Sequence, residues 1–325
     1  MKLSFALVGC GYIGKRYITL LSQHPRCELS ALVDTDRKLL EAYYHVDIPS
    51  FHSVEAYFNS DMQSDAIVVA TPNATHASIA ITSLKQSKHV LIEKPMALKR
   101  SDAEAIIQTA TERNKKAMVV LQNRFSTVSE WLKKLIESKQ LGKIFFVEVN
   151  CFWNRDERYY KKDSWHGTKE KDGGCLFTQF SHFIDTIYWL FGDIKNISSR
   201  FENFNHQQLT EFEDTGSISF EFAKGGMGCM NFSTTVWDKS LESSLTIIAE
   251  KGSVKISGQY MDHIEHCHIK NYSLPVELVN VSSSTDNHYK MVDAFIEAIR
   301  KNSSTNVDEA LHSVDIIERM YASVS

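Results

Sequence analysis

The sequence predicts an α/β fold class: a doubly wound parallel sheet of the Rossmann type in the N-terminal part, followed by a C-terminal α+β domain with an open, largely antiparallel sheet. Two observations predict it. Up to about residue 122, short apolar runs alternate with amphipathic stretches, as strands and crossover helices do in a parallel sheet. Beyond that point, strand-length apolar runs follow one another across short turns, which is typical of antiparallel sheets. The predicted domains are residues 1–122 and 123–325.

Composition and charge exclude several functional classes. The chain has 325 residues, 43% of them hydrophobic, and a net charge of -4, so it can form two cores but has no general attraction to nucleic acid or anionic membranes. No apolar run approaches the roughly 20 residues of a transmembrane helix. Six cysteines are scattered without CxxC spacing, which predicts a reduced, cytoplasmic protein. A lipoprotein signal ending at Cys10 is the alternative for the N-terminus, although its apolar run is at the short limit.

A dinucleotide-binding turn is predicted directly after the first strand. The apolar run Leu3–Val8 precedes a GxGxxG sequence, and an amphipathic stretch follows it to Ser22. The first glycine permits the turn, the second lets the backbone approach a pyrophosphate, and the third lets the helix pack closely on the strand. The helix N-terminus attracts the phosphates. The predicted cofactor contacts in this turn are Gly9, Gly11, Tyr12, Ile13 and Gly14.

The second predicted strand ends at Asp34, about twenty residues after the turn, where an acid binds the adenosine ribose in such folds. A carboxylate there accepts hydrogen bonds from the 2′-hydroxyl and repels a 2′-phosphate. NAD is therefore predicted over NADP. The neighbouring Arg37 and Lys38 favour the alternative, because they could receive that phosphate.

Two later strand ends carry polar residues. The run Ala66–Ala70 is broken by Thr71, Pro72 and Asn73, and His76 follows. These four could face the nicotinamide end of a cofactor, and their ordinary role would be turn and cap chemistry.

The run 90–92 leads into Glu93, Lys94 and Pro95, where the proline ends the strand. A lysine at the carboxyl end of a parallel strand lies where open α/β sheets bind ligands. A solvated lysine is the alternative. The residues Ser101 to Glu104 then predict a capping box that opens a helix reaching about Asn114.

The second half predicts a sheet with one open face. The simplest way to bury that face is association with further copies of the chain. The first two predicted strands enclose a loop rich in arginine and aromatic residues. Such residues suit a sugar ring and a phosphate or carboxylate, and an exposed loop of mixed charge is the alternative. The predicted substrate contacts in the loop are Arg155, Tyr159, Tyr160 and Trp165. The predicted strands are 144–153, 194–204, 215–222, 228–236, 245–249 and 253–256.

A continuous helix is predicted from Leu176 to Phe191, after a glycine pair. On it Thr178, His182 and Asp185 would share one face at spacings of four and three residues. A histidine on so apolar a helix would otherwise be an ordinary core residue. The His/Glu/Cys alternation at 263–267 could present metal ligands on one strand face, but nothing elsewhere has ligand spacing, so no metal site is predicted.

Together these motifs resemble the Gfo/Idh/MocA family, which includes glucose–fructose oxidoreductase and inositol dehydrogenase, and the resemblance covers essentially the whole chain. It implies that Lys94 and His182 lie beside the nicotinamide, that the Lys94–Pro95 bond is cis, and that the open sheet makes dimer or tetramer contacts. It also adds Glu93 and Asn123 to the cofactor contacts and Arg124 to the substrate contacts. The motifs that carry it are GCGYIG (9–14), Asp34, ATPNATH (70–76), EKP (93–95), QNRF (122–125) and DGG with HFID (172–185).

One departure from the family bears on the substrate. The family often has an aspartate four residues before the histidine, where this chain has Thr178. Polyol dehydrogenases of the family use that acid, whereas branches acting on nucleotide-linked sugars are more tolerant, so a UDP-sugar-like substrate is favoured.

The predicted function is NAD-dependent hydride transfer between a secondary carbinol of a sugar or nucleotide sugar and nicotinamide. His182 would take the hydroxyl proton, Lys94 would hold the developing alkoxide, and Thr178 would orient the substrate. The alternative is a non-catalytic regulator or scaffold that binds the cofactor.

Overall fold

The computed structural model describes residues 2–43, 48–162, 164–278 and 287–324. The chain divides into a first unit, Met1–Val120 with Tyr289–Val314, and a second unit, Leu121–His288 with Asp315–Ser325. The first unit therefore also includes a late segment that lies within the predicted C-terminal domain. Each unit has its own sheet, which confirms the predicted fold class. No helix in the described ranges is long and apolar enough to cross a membrane.

The sheet of the first unit is parallel throughout. Its strands are β1 Leu3–Val8, β2 Cys27–Val33, β3 Ser50–Phe51, β4 Ala66–Val69, β5 His89–Ile92 and β6 Ala117–Val119, and their order in the sheet is β3-β2-β1-β4-β5-β6. The middle strands are apolar on both faces, and every residue of β4 is completely buried, as expected for a sheet covered on both sides by helices. The helices are α1 Tyr12–Gln23, α2 Arg37–Glu41, α3 Val54–Phe58, α4 His76–Lys85 and α5 Arg100–Glu112.

The strand order reverses between β1 and β4, and open α/β sheets bind ligands at such a reversal, beyond the carboxyl ends of the strands. The turn after β1 is tied to both neighbouring strands. Gly9 N–H donates to the Val33 carbonyl at 2.8 Å, and Ala70 N–H donates to the Val8 carbonyl at 2.8 Å. The glycine turn and the residues that follow β4 therefore begin side by side.

Two late helices are α10 Asn287–Lys301 and α11 Val307–Ala322, and the residues of α11 from Asp315 onward belong to the second unit. The edge strand β6 is bonded by a side chain that precedes α11. Val119 N–H donates to Asn306 Oδ1 at 2.9 Å, and Asn306 Nδ2 donates to the Val119 carbonyl at 2.8 Å. These bonds satisfy edge groups that would otherwise be open to pairing with another chain.

The predicted capping box at Ser101 is wrong. Helix α5 begins at Arg100, its N-cap is Lys99, and no side chain caps it. Ser101 is already inside the helix, so its hydroxyl cannot take the N-cap position.

The second unit has a seven-stranded sheet. Its strands are β7 Ile144–Phe152, β8 Ile194–Glu202, β9 Thr215–Phe222, β10 Met227–Ser233, β11 Glu242–Ala249, β12 Gly252–Ser257 and β13 His263–Ile269, and their order is β13-β12-β11-β7-β10-β9-β8. All neighbours are antiparallel except β7 and β10, so the sheet is largely antiparallel, as predicted. The helices are α6 Thr127–Glu137, α7 Lys169–Asp172, α8 Cys175–Thr178 and α9 Ser181–Phe191.

The central strands of this sheet bury one face and leave the other partly exposed. Val147, Val149 and Cys151 of β7 are completely buried, and the residues between them are half-buried. On the more open face, Phe146 of β7 is paired with Met227 of β10 and with Ile248 of β11. Met227 is 54% exposed and Ile248 is 43% exposed, so this face carries an apolar row.

The predicted continuous helix from Leu176 to Phe191 is wrong, because the chain breaks between α8 and α9. The backbone of Phe180 leaves the helical region, with φ -114° and ψ 3°, and its N–H donates to the Cys175 carbonyl five residues earlier at 3.1 Å. Thr178 and His182 therefore lie on two successive helices and not on one helical face.

A half-buried carboxyl group, that of Glu213, ties the end of α11 to the start of α8. Tyr321 O–H donates to Glu213 Oε1 at 2.6 Å, and Cys175 N–H donates to the same oxygen at 3.2 Å. Gly174 has φ +114°, and a Cβ there would lie 2.2 Å from the Tyr321 hydroxyl oxygen. Burial raises the pKa of Glu213 to about 7, from an ordinary value of 4.5.

This raised pKa predicts a stability that falls with pH. Between pH 4.5 and about 7, the folded protein keeps the Glu213 proton that the unfolded chain has lost, so the free energy of unfolding decreases as the pH rises. The decrease is at most about 3 kcal/mol. Glu213→Gln keeps the acceptor oxygen and cannot ionise. Its free energy of unfolding, relative to that of the wild type, should therefore rise by about 1–3 kcal/mol from pH 5 to pH 8. Urea unfolding at both pH values measures this, with the exposed Glu211→Gln as control; parallel pH curves for Glu213→Gln and wild type would contradict it.

Candidate active site

The glycine turn leaves space at the N-terminus of α1. Gly9 has φ +98°, and a Cβ there would lie 2.4 Å from the Ala70 carbonyl oxygen. A Cβ at Gly14 would lie 2.0 Å from the Gly9 carbonyl oxygen, whereas one at Gly11 would meet nothing within 4 Å. Gly9 and Gly14 thus permit close backbone contacts, and Gly11 opens onto free space where helix N–H groups can bind a pyrophosphate. The turn fits the predicted dinucleotide.

The side chains on the first turn of α1 differ in their surroundings. Tyr12 is 91% exposed, and Ile13 is half-buried. Both predicted contacts are thus accessible to a ligand at the start of α1.

Asp34 is held beside this turn by two backbone groups. Cys10 N–H donates to its Oδ2 at 2.7 Å, and Asp36 N–H donates to its Oδ1 at 2.8 Å. Each carboxylate oxygen keeps a further lone pair that can accept a ribose hydroxyl. Burial, with the Asp34 charge, raises the pKa of Cys10 to about 12, so its thiol stays protonated. Arg37 and Lys38 are exposed at the start of α2.

The residues after β4 turn inward. Thr71 and Pro72 are half-buried, and Asn73 is only 4% exposed. His76 is 1% exposed; its Nε2 lies 2.8 Å from the Thr71 carbonyl oxygen and its Nδ1 lies 2.7 Å from the Pro95 carbonyl oxygen. Both ring nitrogens of His76 are therefore directed at the backbone of the strand ends.

Lys94 follows β5 at the same edge of the sheet and is half-buried. The Lys94–Pro95 peptide bond is cis, as the resemblance implied. Glu93 is 6% exposed; its Oε1 accepts the Tyr17 O–H at 2.8 Å and its Oε2 accepts the Lys94 N–H at 3.2 Å. Burial raises the pKa of Glu93. The predicted cofactor contact Glu93 is thus a buried group that holds the backbone of Lys94.

In the second unit, Thr178 is bonded to a carboxylate. Its hydroxyl donates to the side chain of Asp172 and lies 3.0 Å from the Asp172 carbonyl oxygen. Asp172 is 1% exposed, and its Oδ2 also accepts the Gly167 N–H at 2.9 Å. The side chain that replaces the family's aspartate therefore stands beside a buried aspartate from the preceding turn.

His182 lies in the first turn of α9 and is 8% exposed. One turn later, the Asp185 carboxylate accepts hydrogen bonds from Arg124 Nε at 2.8 Å and from Arg124 Nη2 at 2.7 Å. This pair is almost completely buried, and removing one member of such a pair is strongly destabilising. Arg124, a predicted substrate contact, is positioned as an anchor between the segment 122–125 and α9.

Asn123, a predicted cofactor contact, is 2% exposed. Its Nδ2 donates to the Gln259 carbonyl at 3.3 Å, while its Oδ1 is buried with no hydrogen-bond partner among the residues described. An acceptor left in this way suits a polar ligand, because a buried unpaired acceptor costs about 1–3 kcal/mol.

Arg155 stands directly after β7 and is fixed on several sides. Its guanidinium carbon lies 4.8 Å from the centre of the Trp153 ring and 5.0 Å from that of Tyr159. Its Nε donates to Gln179 Oε1 at 2.7 Å, its Nη1 donates to the Asn154 carbonyl at 2.7 Å, and Gln179 Nε2 donates to the Tyr159 hydroxyl at 2.8 Å. Gln179 was missed by the sequence analysis, because only the break between α8 and α9 turns it toward Arg155.

The structure separates the other aromatic residues of this loop. Trp165 stacks on His166 with ring centres 3.8 Å apart, and His166 lies 4.6 Å from Tyr159. These rings continue the surface formed by Arg155 and Tyr159. Tyr160 is only 3% exposed, so its position is that of a core residue.

A cleft of about 310 Å³ adjoins this surface within the second unit. Its lining includes Trp153 and Arg155 together with two carboxylates, Glu242 and Glu265. Serine residues and Gln259 supply further hydrogen-bonding groups, so the cleft has a polar lining.

The His/Glu/Cys alternation on β13 has other partners. Glu265 is paired with Lys255 at 2.9 Å, and His263 Nδ1 lies 2.9 Å from Asp262 Oδ1. Within the described part of the chain, no three potential ligands form a group that could hold a metal ion.

Comparisons with known proteins agree on one family. Residues 3–121 match the oxidoreductase family with an NAD-binding Rossmann fold, and residues 130–255 match the GFO/IDH/MocA C-terminal domain. The chain is similar to the WlbA dehydrogenase from Bordetella pertussis, whose crystal structure contains NADH and UDP-GlcNAcA. That match has 30% identity and a TM-score of 0.90, and it covers 99% of this chain and 96% of that one.

Two further relatives carry different activities. Glucose-6-phosphate 3-dehydrogenase from Bacillus subtilis is 30% identical over 188 residues, which are 57% of this chain and 53% of that protein. The 2,7-anhydro-N-acetylneuraminate hydratase from Escherichia coli is 26% identical over 263 residues, 79% of this chain and 68% of that protein. With both parts of the chain matched, this protein belongs to the Gfo/Idh/MocA family of oxidoreductases.

Proposed function

We propose that this protein is an NAD-dependent dehydrogenase that oxidises a secondary carbinol of an anionic, nucleotide-linked sugar. The observation that carries the substrate class is Arg155, which lies against two aromatic rings and is bonded through Nε and Nη1. An arginine fixed in this way can bind a phosphate or carboxylate with little loss of side-chain freedom, and the flanking rings suit a sugar or base. The likeness to WlbA, crystallised with NADH and UDP-GlcNAcA, supports the same class.

Each candidate residue has a distinct task in this proposal. The glycine turn would hold the pyrophosphate of NAD and Asp34 would hold its ribose; when bound, NAD supplies the hydride acceptor. His182 would accept the proton of the substrate hydroxyl, because an imidazole has a pKa suited to this transfer. Lys94 would stabilise the oxygen as negative charge develops on it. Thr178, bonded to Asp172, would orient a substrate hydroxyl.

Turnover tests this proposal against a scaffold that binds the cofactor without reacting. The protein would be tested with NAD and a panel of candidate substrates that includes UDP-linked sugar acids and neutral sugars. NADH absorbance should rise with a UDP-linked sugar acid. Lys94→Ala and His182→Ala should each lower kcat by about a hundredfold or more, because each removes a group needed as the hydroxyl loses its proton.

The exposed Lys99→Ala and His52→Ala are the matched controls and should leave kcat unchanged. Calorimetric titration should show NAD still binding to both site variants. Wild-type turnover in both site variants would contradict the assigned roles. If NAD binds but no substrate in the panel yields NADH, the result would favour the non-catalytic scaffold.

The cofactor preference gives a separate prediction. Asp34 should exclude the 2′-phosphate of NADP, because placing two anions together or leaving an acceptor unpaired costs about 1–3 kcal/mol, which is about 5- to 150-fold in affinity; we expect a preference for NAD of about tenfold or more. Asp34→Ser should reduce this preference, with Arg37 and Lys38 close along the chain to receive the phosphate. Isothermal titration of both cofactors measures it, and equal or tighter binding of NADP by the wild type would refute the assignment.

The assembly proposed here is a homodimer or homotetramer formed through the open face of the second unit's sheet. The apolar row of Phe146, Met227 and Ile248 supports it, because isologous contacts commonly bury such rows. Sedimentation of the protein as a monomer would contradict it.

A cytoplasmic location is proposed as well, from the scattered cysteines. All six are free thiols, as a reducing compartment would keep them. Recovery of the native protein in a membrane or periplasmic fraction would contradict this location.

A further inference from the structure

The segment that carries Lys94 is held from both sides by buried side chains of the same unit. Before Lys94, Tyr17 of α1 donates to Glu93 Oε1 at 2.8 Å, and Glu93 Oε2 accepts the Lys94 N–H at 3.2 Å. After it, His76 of α4 places Nδ1 2.7 Å from the Pro95 carbonyl oxygen. Tyr17 and His76 are each 1% exposed. The peptide units on either side of Lys94 are thus fixed by polar groups that solvent does not reach.

His76 also connects two strand ends. Its Nε2 lies 2.8 Å from the carbonyl oxygen of Thr71, which follows β4, while Nδ1 faces the loop that follows β5. A carbonyl oxygen only accepts, so the ring must donate; a neutral imidazole has one N–H and an imidazolium has two. Burial lowers the pKa of His76 and favours the neutral ring, in which the nitrogens compete for one proton. The nitrogen that reaches the segment of Lys94 is Nδ1.

These contacts affect where Lys94 is held and take no direct part in the reaction. Neither Tyr17 nor His76 offers a polar atom at the surface, and both act through backbone or carboxylate groups next to Lys94. The reach of a lysine ammonium depends on where its Cα is held, because its four-carbon stem is flexible. In a reacting site, misplacing a group by about 1 Å can lower the rate by about a hundredfold.

We propose that His76 and Tyr17 are positioning residues for Lys94: His76 donates from Nδ1 to the Pro95 carbonyl, Tyr17 holds Glu93, and together they set where the lysine ammonium stands. This inference rests on the proposed role of Lys94 in turnover. It assigns to His76 a task other than direct contact with the cofactor.

A double-mutant cycle tests the inference. His76→Phe and Tyr17→Phe should each lower kcat by about 10–100-fold in the otherwise wild-type protein, and by less than about twofold in Lys94→Ala, because a positioning residue has no effect once the group it positions is gone. NAD affinity should change by less than about threefold in each variant, because the glycine turn is untouched. Tyr17→Phe removes one oxygen atom, so it tests the proposal even if His76→Phe does not fold.

Two matched controls separate positioning from the general loss of a hydrogen-bonded polar side chain. His89 begins β5, at the opposite end of the strand, where its Nδ1 accepts the Lys116 N–H at 2.9 Å. The hydroxyl of Tyr57 is buried and lies 2.6 Å from that of Ser64. His89→Phe and Tyr57→Phe should lower thermal stability with kcat unchanged.

The outcomes distinguish this inference from the proposed function. Equal losses of kcat in the wild-type and Lys94→Ala backgrounds would overturn positioning, whereas wild-type turnover in Lys94→Ala would overturn the role of the lysine itself. The nitrogen-15 shifts of His76 should show a protonated Nδ1. A neutral ring protonated only at Nε2 would overturn its part of the proposal.

Discussion

The close approach of two chain segments at the reversal of the parallel sheet is the constraint on which the rest depends. A Cβ at Gly9 would overlap the Ala70 carbonyl, and one at Gly14 would overlap the Gly9 carbonyl, so only hydrogen atoms fit at these two positions. This approach brings the start of α1 against the carboxyl ends of β1 and β4. It leaves free space at Gly11 and sets Asp34 beside it through the Cys10 N–H. The cofactor end of the first unit thus follows from backbone packing.

Buried polar bonds then fix the groups that backbone packing alone would leave loose. Glu93 and His76 hold the segment around Lys94, Asp185 holds Arg124, and Asp172 holds the Thr178 hydroxyl. Buried polar groups are costly unless they are bonded, so each of these partners restricts its neighbour to few positions. Both units in this way place rigid polar side chains near the ends of strands and helices.

Local patterns predicted the parts of the fold that local sequence controls. The turn at 9–14, Asp34 and the strand that ends before Lys94 are each set by residues within a short stretch of chain, and glycine and proline mark them directly. The break at Phe180 could not be predicted, because the spacing of apolar residues is typical of a helix both before and after it. Its consequence, Gln179 bonded to Arg155, involves residues 24 positions apart.

Long-range partners decide the surroundings of several predicted site residues. The family resemblance implies a substrate contact for Arg124, and only the fold shows Asp185 beside it, 61 residues later. Tyr159 and Tyr160 are adjacent and chemically alike, yet one bonds Gln179 and the other is buried in the core. The bond from Tyr321 to Glu213 spans 108 residues and has no local signature. In each case the deciding contact is tertiary.

The most direct test of the account is to follow the hydrogen that it says is transferred. The protein would be mixed with NAD and the proposed nucleotide-sugar substrate carrying deuterium at the carbinol carbon, and the nicotinamide recovered afterwards would be analysed by NMR and mass spectrometry. The account predicts one deuterium at C4 of the nicotinamide and a ketone on the sugar. Both ligands bound, with no deuterium on the nicotinamide and the sugar unchanged, would contradict it.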